Sequence, residues 1–290
     1  MRFRKSYYLI AIAIIAIVVL TMSFLRIKVR METNITTLPS IDDVPREYWA
    51  KLAEKKIYFG HQSVGYNIVE GIEDIIKSHP QIKLNVVKTC DPAAFVKPVF
   101  AHSGVGKNTE PDSKINDFVN IMDSGVGEEV DIAILKFCYV DITRDSEPQK
   151  IFNDYQTSIK DLKNRYPKIK FLHSTVPLRS APKGIERNLK QTIKLILGKP
   201  GVVEDNIKRQ CYNDLLRDAY NQTEPFFDLA LVESVGPESK RYYAAAGTEK
   251  VYMMASEYTY DGGHLNSLGR KNVAEQFLIK LATLANECEE

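Results

Sequence analysis

Five apolar runs of strand length punctuate the chain beyond residue 45: 56–60 (KIYFG), 83–89 (KLNVVKT), 130–139 (VDIAILKFCY), 169–174 (IKFLHS) and 226–231 (FFDLAL). Apolar residues recur at helical spacing in the stretches between and after them, at 68–78, 151–166, 206–220 and 268–286. Strands that alternate with helices pair in parallel, because a parallel connection has to cross the sheet and a helix does so compactly. The expected body is therefore an α/β domain over residues 46–290, with a parallel sheet of about five strands covered by helices on both faces as a three-layer α/β/α sandwich. Residues 180–205 and 234–256 exceed that minimal plan and read as lids or substrate walls.

The N-terminus is of a different kind. Ser6 to Leu25 contains no charged residue and is rich in Ile, Ala, Val and Leu, the length and composition of a helix that crosses a bilayer. Arg2, Arg4 and Lys5 precede it, and no small-x-small cleavage site follows, so residues 1–30 are expected to be an uncleaved signal anchor with the body outside the cytoplasm. Residues 31–45 read as a tether ending in a helix start at Pro45. Removing the six basic residues of positions 1–30 leaves 33 Lys and Arg against 37 Asp and Glu, which excludes nucleic-acid binding by bulk charge. Four cysteines, Cys90, Cys138, Cys211 and Cys288, allow at most two disulfides, and no CxxC or His cluster suggests a metal site.

Ligands of an open parallel sheet bind beyond the carboxyl ends of its strands. After the first strand comes Gly60-His61-Gln62-Ser63-Val64-Gly65, where a Ser at a strand-to-helix turn exposes its hydroxyl beside unpaired backbone N–H groups. Ser63 is equally readable there as a helix N-cap. Near the C-terminus stands Asp261-Gly262-Gly263-His264-Leu265-Asn266-Ser267-Leu268-Gly269. Two glycines let the chain turn so that the carboxylate of Asp261 meets the imidazole of His264, as a nucleophile's general base requires.

These motifs, in this order, resemble those of the SGNH or GDSL-like hydrolase superfamily over roughly residues 55–285. The resemblance implies a flavodoxin-like α/β/α fold and hydrolysis or transfer of acyl esters without a cofactor. It assigns Ser63 as nucleophile, His264 as base and Asp261 as its orienting carboxylate. The oxyanion hole would use the backbone of Ser63 and a loop glycine, either Gly104 or Gly106. Two departures stand out: Gly-His-Gln-Ser replaces Gly-Asp-Ser, and Cys138-Tyr139-Val140-Asp141 replaces Gly-x-Asn-Asp, so Val140 stands where the family's Asn donates to the oxyanion. His61, Gln62, Asn108 and Tyr139 are the candidate substitutes or substrate contacts.

Other polar residues have simpler expectations. Lys136 is expected to escape at a sheet edge or to pair with a carboxylate such as Asp141. His173 is expected to be structural, Trp49 to pack in the core, and His102 to contact either substrate or loop. Anchoring through residues 6–25 makes a cell-envelope glycan or lipid ester the expected substrate, O-acetyl groups on a polysaccharide first. An O-acyltransferase with the same triad, and a non-catalytic glycan-binding or partner-binding domain, are the alternatives.

Overall fold

A computed structural model describes residues 29–32, 37–181, 201–246 and 248–287. The expected membrane segment at 6–25 and Cys288 lie outside them. Among the described residues no helix is long and apolar enough to cross a membrane. In chain order the regular elements are Val29–Glu32 (β1), Arg46–Leu52 (α1), Lys56–His61 (β2), Val64–Ser78 (α2), Val86–Lys88 (β3), Val99–Gly104 (β4), Pro111–Ile121 (α3), Ile132–Leu135 (β5) and Pro148–Arg165 (α4). They continue as Lys170–Phe171 (β6), His173–Ser174 (β7), Val202–Tyr220 (α5), Phe226–Phe227 (β8), Leu229–Ser234 (α6), Arg241–Ala246 (β9), Glu249–Tyr252 (β10) and Ser267–Glu287 (α7).

The main sheet has five parallel strands in the order β3-β4-β2-β5-β6. The parallel pair β7-β8 carries the edge onward, and the Leu172 N–H bonded to the Ala133 carbonyl joins the two pieces. Successive strand side chains point to opposite faces, and β2 shows the consequence. Ile57 and Phe59 enter a core shared with α1, α2 and α7, whereas Tyr58 enters a second core shared with α3, α4 and α5. Helix α2 buries Val64, Ile68, Val69, Ile72 and Ile75 as one stripe, each such side chain stabilising the fold by about 1.5–3 kcal/mol. Gly71 lets α2 approach α7 closely, since a Cβ there would stand 2.5 Å from the Arg270 carbonyl oxygen. Trp49 is buried in the first core as expected.

Four expectations need correction. Residues 99–104 form the strand β4 between β3 and β2, so Gly104, expected in a loop, ends a strand instead. Its polar His102 is buried because His61 on the neighbouring strand bonds to it at 3.0 Å, a pairing that no single-strand pattern can signal. The run at 226–231 is a strand for two residues only. Asp228 then accepts from the Leu231 N–H and starts α6, since a short carboxylate side chain captures a helix's first donors. The tether expected at 31–45 cuts through β1, which pairs antiparallel with β9, itself paired with β10. The excursion at 234–256 is thus a small antiparallel sheet. Cys90, Cys138 and Cys211 are free thiols, with Cys138 buried.

Candidate active site

Past the carboxyl end of β2 the chain turns into α2 through Ser63, whose φ of 51° and ψ of −108° lie outside the conformations L-residues ordinarily occupy. The Ser63 hydroxyl makes no capping bond to α2, so the N-cap reading does not hold. It meets His264 Nε2 at 2.8 Å instead. Behind it Gly65 leaves room for His61, whose side-chain atoms lie 2.4 Å from where a Cβ would be. Strain at Ser63 and crowding at Gly65 together aim the hydroxyl outward.

The partner turn is held just as tightly. Gly262 adopts φ 86°, and Gly263 sits where a Cβ would come within 2.7 Å of the Tyr139 ring. One glycine therefore supplies a backbone conformation and the other supplies space. Asp261 Oδ2 meets His264 Nδ1 at 2.6 Å, while Asp261 Oδ1 accepts the N–H groups of Gly263 and His264, each at 2.8 Å. Partial burial works to raise the carboxyl's pKa, but the bonds from the His264 ring, Gly263 and His264 outweigh it and hold Asp261 well below the usual carboxylate range. The permanent carboxylate fixes the proton on Nδ1 and leaves Nε2 to accept from Ser63.

The rest of the motif builds the frame. Asn67 Oδ1 accepts the Leu265 N–H at 3.2 Å, Asn266 Oδ1 accepts the Gly269 N–H at 2.9 Å, and Asn266 Nδ2 donates to the Glu257 carbonyl at 2.7 Å. Asn266 thus caps the start of α7. Gly269 is the residue that allows contact with Tyr258, since a Cβ would stand 2.5 Å from that carbonyl oxygen.

The two loop glycines, inseparable in sequence, differ in the structure. The Gly106 N–H donates to Asp117 Oδ2 at 2.8 Å, and a Cβ on Gly106 would collide with the Lys114 backbone. Gly106 is committed to the turn. Val105 N–H donates to His61 in the β2 ladder, so the N–H of the preceding Gly104 is directed away from β2. The Gln62 side chain lies across Gly104, donating to the Gly106 carbonyl at 3.2 Å.

Of the remaining candidates, His61 is fully buried and bonded to His102, which removes both from any substrate contact in this conformation. Burial, with Lys136 next, drives His61 far down to about 2 and keeps it neutral. Asn108 is exposed, with Oδ1 accepting from Lys114. Tyr139 sets its ring edge-on to His264 at 5.9 Å and beneath the Arg179 guanidinium. Val140 is half-buried against the first core. Asp141 pairs with the buried Lys114 at 2.5 Å and also accepts from the Cys138 and Thr109 N–H groups, joining the two loops that flank the site. Lys114 therefore fills the role that sequence had offered to Lys136. Lys136 itself neither escapes at an edge nor pairs with Asp141 as expected: it lies buried under the Ser63 turn with its ammonium 3.1 Å from the Gln62 carbonyl. A charge in the middle of an apolar strand run was its only signal.

A family profile described as GDSL-like lipase/acylhydrolase matches residues 66–277 of this chain. No curated protein matches it. Among solved structures it resembles a provisionally named platelet activating factor from Streptococcus pneumonia, at 14% identity and a TM-score of 0.48, over 81% of this chain and 89% of that one. A mutant acetyl esterase with acetate ion aligns at 12% identity and TM-score 0.44, over 80% of this chain and 97% of the other. The periplasmic domain of a lipopolysaccharide acetyltransferase from Salmonella ser. Paratyphi A aligns at 9% identity and TM-score 0.43, over 84% and 99%.

Proposed function

Because the chain belongs to the GDSL-like lipase/acylhydrolase family, we propose that it cleaves acyl esters of a cell-envelope glycan or lipid, acetyl esters first, through Ser63, His264 and Asp261. The observation that carries this reading is the unbroken relay from Ser63 Oγ to His264 Nε2 at 2.8 Å and from His264 Nδ1 to Asp261 at 2.6 Å. In the reaction Ser63 Oγ attacks the ester carbonyl as its proton passes to His264 Nε2. Asp261 stabilises the resulting imidazolium, and the tetrahedral intermediate collapses as His264 protonates the departing alcohol. Water, activated by the same His264, then releases the acid. The Ser63 N–H and the uncommitted Gly104 N–H are the donors to the oxyanion, with Gln62 and Tyr139 at the rim.

The envelope substrate follows from anchoring through residues 6–25, which holds the catalytic body on the extracytoplasmic face. An acyltransferase would use the same acyl-enzyme and differ only in the alcohol that resolves it. Labelling of the purified protein with a fluorophosphonate, with the modified residue located by mass spectrometry, tests the proposal directly: Ser63 should carry the label. A chain that neither labels nor turns over a broad ester panel, yet binds glycan, would be a binding domain. Product analysis with an added sugar separates water from sugar as acceptor.

A further inference from the structure

Lys136 is 1% exposed, and among the described residues its ammonium has one hydrogen-bond acceptor, the Gln62 carbonyl oxygen at 3.1 Å. A buried ammonium ordinarily pairs with a carboxylate, because isolation in a poorly polarisable interior is costly. Among the described residues neither nearby carboxylate forms an ion pair with it, and Glu233 keeps its Oε1 buried without a hydrogen-bond partner. Asp141 is bonded to Lys114, and Glu233 accepts the Leu178 N–H at 2.7 Å. Burial pushes the Lys136 pKa down, with Lys114 adding to that and Glu233 and Asp141 opposing it. The Gln62 carbonyl already accepts the Gly65 N–H at 3.0 Å, so that oxygen does not need Lys136 to be satisfied.

The Gln62 carbonyl and the Ser63 N–H belong to one conjugated peptide group. A charged donor on the oxygen draws electron density towards it and leaves the N–H more positive, an effect that a low-dielectric surrounding enlarges. We propose that Lys136 is a positioning residue that polarises the Gln62–Ser63 peptide, so that the Ser63 N–H donates more strongly to the oxyanion and replaces the side-chain donor that Val140 cannot provide. The proposal rests on Ser63 being the nucleophile.

Lys136→Met removes the charge and nearly preserves the length, while Lys136→Arg keeps the charge. With 4-nitrophenyl acetate the Met chain should lose at least about tenfold in kcat with KM within about twofold. Its inhibition constant for benzeneboronic acid, which adds to a nucleophilic Ser as a tetrahedral anion, should rise by a similar factor. The Arg chain should recover most of both, and the thermal midpoint of the Met chain should not fall, because an apolar residue replaces a buried charge. Wild-type kcat in the Met chain, or a lost kcat with unchanged boronate affinity, would overturn the proposal. If the Met chain does not fold, Lys136→Gln, which retains a neutral donor, decides instead: wild-type kcat overturns the proposal and a tenfold loss upholds it. Absence of fluorophosphonate labelling in the wild type would sink the hydrolase reading itself. Equal labelling rates of wild type and Lys136→Met would sink only the polarisation.

Discussion

His264 and His173 each lie between a carboxylate and a hydroxyl, one in the turn that meets Ser63 and the other on the edge strand β7, and only one of them can do chemistry. At the carboxyl end, His264 and Asp261 have side chains 49% and 55% exposed and reach a Ser in a strained turn. On β7, His173 is fully buried, with Glu224 on Nε2 at 2.9 Å, the Tyr155 hydroxyl on Nδ1 at 2.8 Å and the Tyr220 ring stacked 3.6 Å away. Burial lowers the His173 pKa against the pull of Glu224 and raises the Tyr155 phenol well above its ordinary value. Both groups are therefore locked in their neutral forms. A His flanked by an acid and a hydroxyl is a common way to satisfy an imidazole. What distinguishes the first cluster is an accessible oxygen aimed by a strained backbone, beside an N–H without a partner in the sheet.

The largest expected effects separate the two clusters by activity. Ser63→Ala should lower kcat by about 10⁴-fold or more, and Asp261→Asn by about 10³- to 10⁴-fold, with the thermal midpoint nearly unchanged in both. His173→Ala should do the reverse. It should cost about 2–4 kcal/mol of stability, because it opens a cavity and strands Glu224 and Tyr155, while kcat measured well below the unfolding temperature stays within about twofold. A large kcat loss in a folded His173→Ala chain would break the distinction.

The next effect is in pH. His173 has a folded-state pKa below its ordinary 6.5, so the unfolded chain binds the proton more readily, and stability falls as pH drops below about 6.5. Hydrogen bonds from His173 and Lys163 pull Glu224 from 4.5 to about 2, so its contribution is present above about 4.5 and is lost as pH falls towards 2. Urea midpoints measured from pH 7 to 3 should follow that descent, and His173→Gln should flatten its upper part. The smallest effect is expected at Val140. With Lys136 polarising the Ser63 peptide, and with residue 140 half-buried against an apolar core, Val140→Asn should change kcat by less than about threefold and cost about 1 kcal/mol in a urea titration. A large gain in kcat would show instead that the hole is short of a donor.

Local features of the site were legible in sequence because each is encoded within a few residues. Asp261, two glycines and His264 specify their own turn, and Ser63 follows a strand and precedes a helix. The alternation of strands and helices was legible for the same reason. What escaped were pairings across the fold. Residues 99–104 look too polar for a buried strand until His61 is seen to partner His102. Lys114 and Asp141 are 27 positions apart and bury each other's charge. Lys136 and Gln62 are 74 apart, and nothing near either residue announces the contact. Periodicity reports which face a residue occupies, whereas the partner on that face is set by strand order.

The strand β1 would give the proposed N-terminal anchor a mechanical meaning. Val29–Glu32 pairs antiparallel with Arg241–Ala244, from Val29 opposite Ala244 to Glu32 opposite Arg241, so the body is gripped at residue 29 rather than hung from a long leash. If residues 6–25 span the bilayer as proposed, the four steps from Leu25 to Val29 reach at most about 14 Å. The enzyme would then work at a nearly fixed height, selecting among esters by their distance from the lipid surface as well as by their shape.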